Sequence, residues 1–542
     1  MKEIINILTL ISACGLFFTT TVGYGFLCVK KVLKININNL FYIFFLGIII
    51  IFLIQYFLYF FFKINYFTNY SIIFFGLYFF INNFETYKKQ IKFFFVILLF
   101  LIIILIIGKT HEDFKHHHLQ LVNEIFNSKI TLGLSNLNPQ FIYIPSIIYV
   151  IATTKLNFFE NNFFHVIPFL IFVNFLCYLY FEYLSKKNKD FATAILITLL
   201  IYLIHFKFLK KHGFDIASFV FSFVAFLEIL KHKKEILLPI IILIFAISIK
   251  ITVLFSLPLF FYYFIKSLKK IDSFYLLFKS RIFLFLTFLL LVIVFSNFLN
   301  NGCIAYFLKN TCLNKNIISW SIDADQVESI SKQTELDTKG FYTQSILEKE
   351  KYLENFNWLS NWFFKHFNYK ILNFLIITLL ILFVLKVFFK TRVKYNFKII
   401  EILISFSCVA FWFFTIPTLR YGYVPVGIFL FYIYSGLKIT SIHTVKKRIN
   451  LILIIFILLA NIQNFERIRS EFKRKDSGYF NNFPWYYIPE RKYEKKILDI
   501  NNYYYIKNDN LIYPCWNIPT PCLDNQNIKL ENKFFFKIIS RL

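Results

Sequence analysis

Four short stretches of this sequence carry side chains able to do chemistry, and each stands where an apolar run begins or ends. The first is Thr110-His111-Glu112-Asp113-Phe114-Lys115-His116-His117-His118. Asp113 and His117 are four residues apart, so a helix here places them on one face. A carboxylate in that setting can act as a general base, or join histidine in holding a divalent metal ion. Asp113 is the candidate base and Glu112 its rival, with His117 and His118 placed to meet substrate. The plain alternative is a solvated polar loop just outside a bilayer.

The other three stretches are shorter. Asp215, in His212-Gly213-Phe214-Asp215, opens an apolar run, where capping a helix N-terminus is the plain alternative. Lys250, in Ser248-Ile249-Lys250-Ile251-Thr252, lies near the end of a strongly apolar run, and snorkelling to an interface would account for it. Arg420, in Pro417-Thr418-Leu419-Arg420-Tyr421-Gly422, sits in a tight connection between two runs. A guanidinium there suits phosphate, whose oxygens it meets as a fixed fork; an interfacial anchor beside tyrosine is the simpler role. Taken together, Asp215, Lys250 and Arg420 are candidate substrate-binding groups. An acidic group in one outer loop and two cations on the same side suit taking a phosphate leaving group from a lipid carrier while a carboxylate deprotonates an acceptor hydroxyl.

The elements that must position these residues are membrane helices. Hydrophobic residues make up 58% of the 542-residue chain and charged residues only 16%. A soluble protein of this length needs more polar surface than that. Candidate spans are 4–28, 39–63, 70–83, 93–108, 165–184, 190–206, 214–230, 236–254, 256–267, 281–298, 370–389, 399–417, 423–441 and 449–464. The fold class expected is therefore an all-α integral membrane protein with about 13–14 transmembrane helices. Its membrane domain covers 1–464, with outer loops at 109–164 and 299–369 and an extracytoplasmic tail at 465–542.

Direction follows from the lysines. Basic clusters at Lys30-Lys31, Lys88-Lys89, Lys186-Lys187, Lys231 to Lys234, Lys269-Lys270, Lys390 to Arg392 and Lys446 to Arg448 all fall between runs. Placing all of them in the cytoplasm gives one alternating path with both termini outside. The segment 141–154 must then be a re-entrant or interfacial helix, since counting it as a span reverses the later clusters. The net charge of +29 is distributed this way, and not as the continuous basic face a nucleic-acid binder needs. The partner expected is the lipid bilayer, with no nucleic acid.

Four of the eight cysteines (Cys14, Cys28, Cys177, Cys408) are scattered singly through spans, where they act as small apolar filler. The others form two close pairs, Cys303/Cys312 and Cys515/Cys522, in segments the charge rule places outside. Disulfides persist there. The spacing within each pair is wider than is usual in zinc sites.

Residues 112–149, with Glu112-Asp113, His118-Leu119-Gln120-Leu121, Gly133-Leu134-Ser135-Asn136-Leu137-Asn138 and Pro145-Ser146, resemble a group of bacterial membrane proteins that looks related to the GT-C glycosyltransferase superfamily. Asn301-Gly302-Cys303 and the stretch Trp412 to Gly422 fit the same group, so that the resemblance covers most of 100–440. It implies a GT-C-like membrane fold in the bacterial inner membrane, an isoprenoid-phosphate-linked sugar as donor, and an acidic catalytic base in the first large outer loop. Carried over, that base is Asp113, with Glu112 as rival. One departure stands out: the superfamily's loop follows the first span, whereas here it follows the fourth. A lipid or glycan transporter or flippase, or a polysaccharide polymerase or ligase, are the competing classes. No internal repeat and no midplane ion pair of the kind transporters use is evident in the sequence.

Overall fold

The computed structural model describes residues 2–106, 111, 113–157, 164–185, 191–231, 236–268, 279–341, 349–388, 391–393, 398–439, 442–473, 492–497, 503–507, 518–523, 528–533 and 536–541. Its helices are α1 (Lys2–Leu27), α2 (Leu40–Phe61), α3 (Tyr66–Ile81), α4 (Phe84–Leu101), α5 (Leu119–Asn127), α6 (Ser146–Ala152), α7 (Val166–Leu184), α8 (Ala192–His205) and α9 (Asp215–Lys231). They continue as α10 (Leu237–Ile249), α11 (Leu257–Leu268), α12 (Arg281–Asn301), α13 (Ala324–Thr338), α14 (Leu372–Phe388), α15 (Ile399–Thr415), α16 (Leu419–Ser435) and α17 (Ile442–Lys473). Each candidate span falls on one of these helices.

Among the described residues, seven helices are long and apolar enough to cross a membrane. The exposed faces of several apolar helices, α15 among the shorter ones, say the same thing. Leu379, Leu380 and Phe383 on α14, Leu403 and Phe406 on α15, and Leu284 and Leu291 on α12 are each more than half exposed. Rows of bare leucine and phenylalanine of this extent are tolerated in lipid, not in water. The protein is a predominantly helical, multi-pass membrane protein.

The chain divides into two compact units: Met1–Ile171 with Leu276–Ile330 and Arg467–Leu542, and Phe172–Tyr275 with Ser331–Glu466. Residue 464, the expected end of the membrane domain, lies inside α17.

In the first unit α2 is the central element, buried on almost all sides from Leu40 to Leu53. Hydrophobicity gives no preference for one neighbour over another inside lipid, so helices approach where side chains are small. A Cβ added to Gly23 of α1 would stand 1.8 Å from the Gly76 carbonyl oxygen of α3. One added to Gly47 of α2 would stand 1.9 Å from the Thr21 oxygen of α1. These two crossings let α1 lie between α2 and α3.

The segment 141–154 contains α6, only seven residues long and buried throughout. At 1.5 Å per residue it is far too short to span hydrocarbon. The rest of the loop between α4 and α7 is pinned by asparagines. Asn136 donates to the carbonyls of Trp320 (2.9 Å) and Ile539 (3.0 Å). Asn300 and Asn301, at the end of α12, donate to the carbonyls of Phe141 (2.7 Å) and Ile142 (2.8 Å).

Strands, which the sequence reading did not foresee, complete this region. β1 (Thr131–Leu132) lies between α5 and α6 in the chain, and two strands, β2 (Thr391–Val393) and β3 (Leu437–Ile439), pair antiparallel in the second unit. The tail supplies β4 (Tyr493–Ile497), β5 (Tyr503–Lys507), β6 (Cys522–Leu523), β7 (Ile528–Lys533) and β8 (Phe536–Arg541). β8 runs parallel to β1 and antiparallel to β7, so the C-terminal residues belong structurally to the loop that carries β1. Cys303 and Cys312 form the expected disulfide. Cys522 is also disulfide-bonded, while Cys515 lies outside the described residues. Cys14, Cys28, Cys177 and Cys408 are free and buried.

In the second unit α9 pairs with α10, α15 with α16, and α8 packs against both α14 and α16. Between α7 and α9, Lys231 reaches Glu182 at 2.9 Å and Glu228 at 3.4 Å, and Glu228 also accepts from the Tyr178 hydroxyl at 2.7 Å. A lysine of the basic cluster is thus neutralised within the helix packing.

The glycine crossings yield a direct test. Gly23→Val should destabilise the folded membrane domain by roughly 1–3 kcal/mol, the usual result of overpacking. Thermal unfolding in detergent should show it as a lowered midpoint; an unchanged midpoint would show that α1 and α3 do not meet there.

Candidate functional site

Two clusters hold the residues singled out above, one in each unit. The cluster in the second unit forms at three helix ends. Gly213 takes φ +54°, turning the chain so that α9 starts at Asp215. α10 stops at Ile249, and Lys250 follows in extended conformation (φ −154°, ψ 119°) before a tight turn over Ile251–Ser256. α16 begins at Leu419, placing Arg420 in its first turn.

Asp215 is 3% exposed and stands between both cations. Lys250 Nζ donates to its Oδ1, and Arg420 Nε donates to its Oδ2 at 2.6 Å. Lys250 Nζ also reaches the Arg420 carbonyl oxygen at 3.4 Å and lies 4.3 Å from the centre of the Tyr421 ring. The helix dipoles favour an anion at the start of α9 and a cation at the end of α10. They do not favour Arg420 at the start of α16, where a negative partner is needed.

Tryptophans brace the connection before α16. Trp412 Nε1 donates to the Thr418 carbonyl at 3.0 Å, and Trp362 Nε1 donates to the Pro417 carbonyl. Gly422 admits the Trp412 ring, because a Cβ there would come within 2.3 Å of it. Beyond the ion cluster, the Tyr423 hydroxyl lies 3.0 Å from His205 Nε2 and 3.4 Å from His212 Nδ1. Lys370 is near enough to Arg420 for their charges to repel.

The sequence reading therefore chose three residues that meet, although Asp215 is 35 positions from Lys250 and 205 from Arg420. It missed Lys370, His205 and Tyr423. Of these only Tyr423, three residues from Arg420, carried any signal in the sequence.

The cluster in the first unit surrounds Asp113. Glu112, the rival base, lies outside the described residues. Asp113, His117 and His118 each offer a ligand atom, and these atoms all lie within 4.8 Å of one another. His111 Nδ1 is 3.2 Å from Asp113 Oδ2 and accepts from the Asp113 backbone N–H at 3.1 Å. His118 is buried, whereas Asp113 and His117 are partly open.

Two further ionisable groups in this unit escaped the sequence reading. Glu124 of α5 is 3% exposed and accepts from the Thr131 and Ser128 hydroxyls, each at 3.0 Å. Lys155 donates to Asn123 Oδ1 at 2.7 Å and lies 4.5 Å from the Phe126 ring centre. Burial pushes its amine down to about 8. Burial also lowers Lys537 of β8, an effect opposed by the charge of Glu124.

The chain matches, over residues 7–427, the family described as Domain of unknown function (DUF8201). It belongs to that family. No curated protein and no solved structure matches it. The DUF8201 region includes every ionisable residue of both clusters and ends before the strands of the tail.

The ion cluster in this DUF8201 protein makes unequal demands on its members. Removing Asp215 leaves two neighbouring cations without their shared anion, so Asp215→Ala should destabilise the fold by roughly 3–5 kcal/mol. Arg420 has a third of its side chain exposed and its loss leaves the Asp215–Lys250 pair intact. Arg420→Ala should therefore lower the unfolding midpoint much less than Asp215→Ala; the reverse order would show that Arg420 is the structural member.

Proposed function

We propose that this protein is a membrane glycosyltransferase that moves a sugar from a lipid-phosphate-linked donor, of the isoprenoid-phosphate kind, to an acceptor on the extracytoplasmic face. The observation that carries the reading is the cluster at the start of α16, where two cations share one carboxylate. Lys370 brings a further positive charge close to Arg420. The guanidinium of Arg420 is a planar fork of N–H donors, and Asp215 accepts from its Nε. A helix N-terminus beside a partly exposed guanidinium favours a phosphate. The exposed leucines and phenylalanines of α14 and α15 suit a lipid tail approaching from the bilayer.

On this reading Lys250 and Arg420 hold the donor phosphate as it becomes the leaving group. Asp113 is the acidic group that activates the acceptor hydroxyl, in keeping with the GT-C-like fold that the resemblance implies. The protein lies in the bacterial inner membrane with both termini outside. A transporter would place its ionisable residues along a pathway at the midplane; here Asp215, Lys250 and Arg420 stand at helix ends.

Two measurements test the reading. In intact cells a cysteine replacing the exposed Gln140 should react with an impermeant thiol reagent, and one replacing the exposed Lys88 should not. The opposite pattern would overturn the orientation. In a transfer assay with a lipid-linked sugar, Asp113→Asn should lower product by roughly 10²–10⁴-fold, the range of a general base. Arg420→Ala should weaken donor binding, and Arg420→Lys should restore it only in part, because the planar fork is lost. Full activity in all of these variants would sink the transferase reading in favour of transport.

A further inference from the structure

The polar cluster of the first unit has a ligand set that a lone general base does not need. We infer that Asp113, His117 and His118 form a binding site for a first-row transition-metal ion of the zinc type. The site stands on its own residues and does not depend on the transferase reading.

The backbone is the first reason. Phe114–His118 is a π-helical turn, closed by the Leu119 N–H donating to the Phe114 carbonyl five residues back. In an ordinary α-helix the residues three and four positions on share a face with Asp113, and the residue five on does not. A turn closed five residues apart holds more residues than the 3.6 of an α-helix, so positions 117 and 118 both come round over 113. Such wide turns are uncommon and concentrate at functional sites.

The second reason is the chemistry of the three groups. Two imidazoles and one carboxylate suit zinc, and its transition-metal neighbours, better than magnesium or calcium, which prefer all-oxygen shells. Ligand atoms bound tetrahedrally at 2.0–2.1 Å stand about 3.4 Å apart. The present separations, all within 4.8 Å, close to that value with small side-chain rotations. Three protein ligands leave a fourth position for water or substrate, the arrangement of a catalytic rather than a structural ion.

Positioning is the third. The His118 ring lies nearly parallel to that of Phe164, at 12° and 6.4 Å between centres. Phe114 packs edge-on against Phe164 at 4.8 Å. This aromatic wall fixes the buried histidine, while His111 holds the Asp113 carboxylate from the side. Ligands held by such partners are oriented before the ion arrives. An ion bound here would take the Asp113 carboxylate as one of its ligands.

The test uses the full-length protein, purified in detergent without a polyhistidine tag and stripped with a chelator. Titration with Co²⁺ should produce visible absorption bands that saturate at one ion per chain, and Zn²⁺ should displace the cobalt and abolish them. His118→Ala should weaken Co²⁺ binding by at least about 10–100-fold, the loss seen when even a ligand's supporting partner is removed. Because His118 is buried and its loss can disturb folding, His117→Gln, at a partly open position, should give the same direction with the unfolding midpoint unchanged. A folded wild-type protein that takes up no more cobalt than buffer overturns the site. So does binding unaltered in the combined Asp113→Asn, His117→Gln, His118→Gln variant. Either failure leaves the transfer assay unaffected; if Asp113→Asn loses product without any loss of metal, Asp113 is a base and not a ligand.

Discussion

Asp215 accepts from both Lys250 and Arg420, and through it the ends of three helices in the second unit are tied together. An ion surrounded by hydrocarbon is costly, so a buried charge persists only where its partners are held in place. Each partner is held by a different break in regular structure. Gly213 turns the chain into α9, Lys250 stands in the extended residue after α10, and Pro417 and Thr418 lead into α16. The indoles of Trp362 and Trp412 take up the carbonyls left open by that last break. Helix ends that would otherwise carry unpaired polar groups in an apolar medium are thereby satisfied.

The first unit meets the same constraint with different material. The loop that carries β1 and α6 is largely irregular backbone lying beside apolar helices, and side-chain amides satisfy it. Asn136, Asn300 and Asn301 make five hydrogen bonds to four carbonyls, those of Trp320, Ile539, Phe141 and Ile142. The tail adds a strand alongside β1, so residues more than four hundred positions apart share one small sheet. Lys537 arrives with that strand and supplies a positive charge near the buried Glu124. The Asp113 cluster belongs to this braced unit, a rigid setting for histidines that must hold one orientation.

The two clusters differ in what they offer chemically. Around Asp215 stand two cations at helix ends, with Lys370 close to Arg420, a setting that suits an anion such as phosphate. Around Asp113 the groups are a carboxylate and neutral-capable imidazoles brought together by a π-turn, which favours a cation. A transferase acting on a lipid-linked phosphate has use for both kinds of site. The DUF8201 match spans both, from residue 7 to 427.

Sequence by itself determined the class of this protein and the position of its helices. Apolar runs of bilayer length leave no alternative to helix, because only a helix satisfies its own backbone in lipid. It also pointed to Asp113, Asp215, Lys250 and Arg420, because charged residues at the ends of such runs are rare enough to be noticed. What only the tertiary structure decided is which of them meet. No spacing rule links positions 215, 250 and 420, since the contacts arise from how α9, α10 and α16 pack. Nor does α-helical periodicity place His118 beside Asp113; that needed the wider π-turn, which local sequence did not announce. The pairing of β8 with β1 was equally hidden, because a two-residue strand carries no period and its partner lies at the far end of the chain. Patterns that repeat along the chain could be read from it, and contacts between distant turns could not.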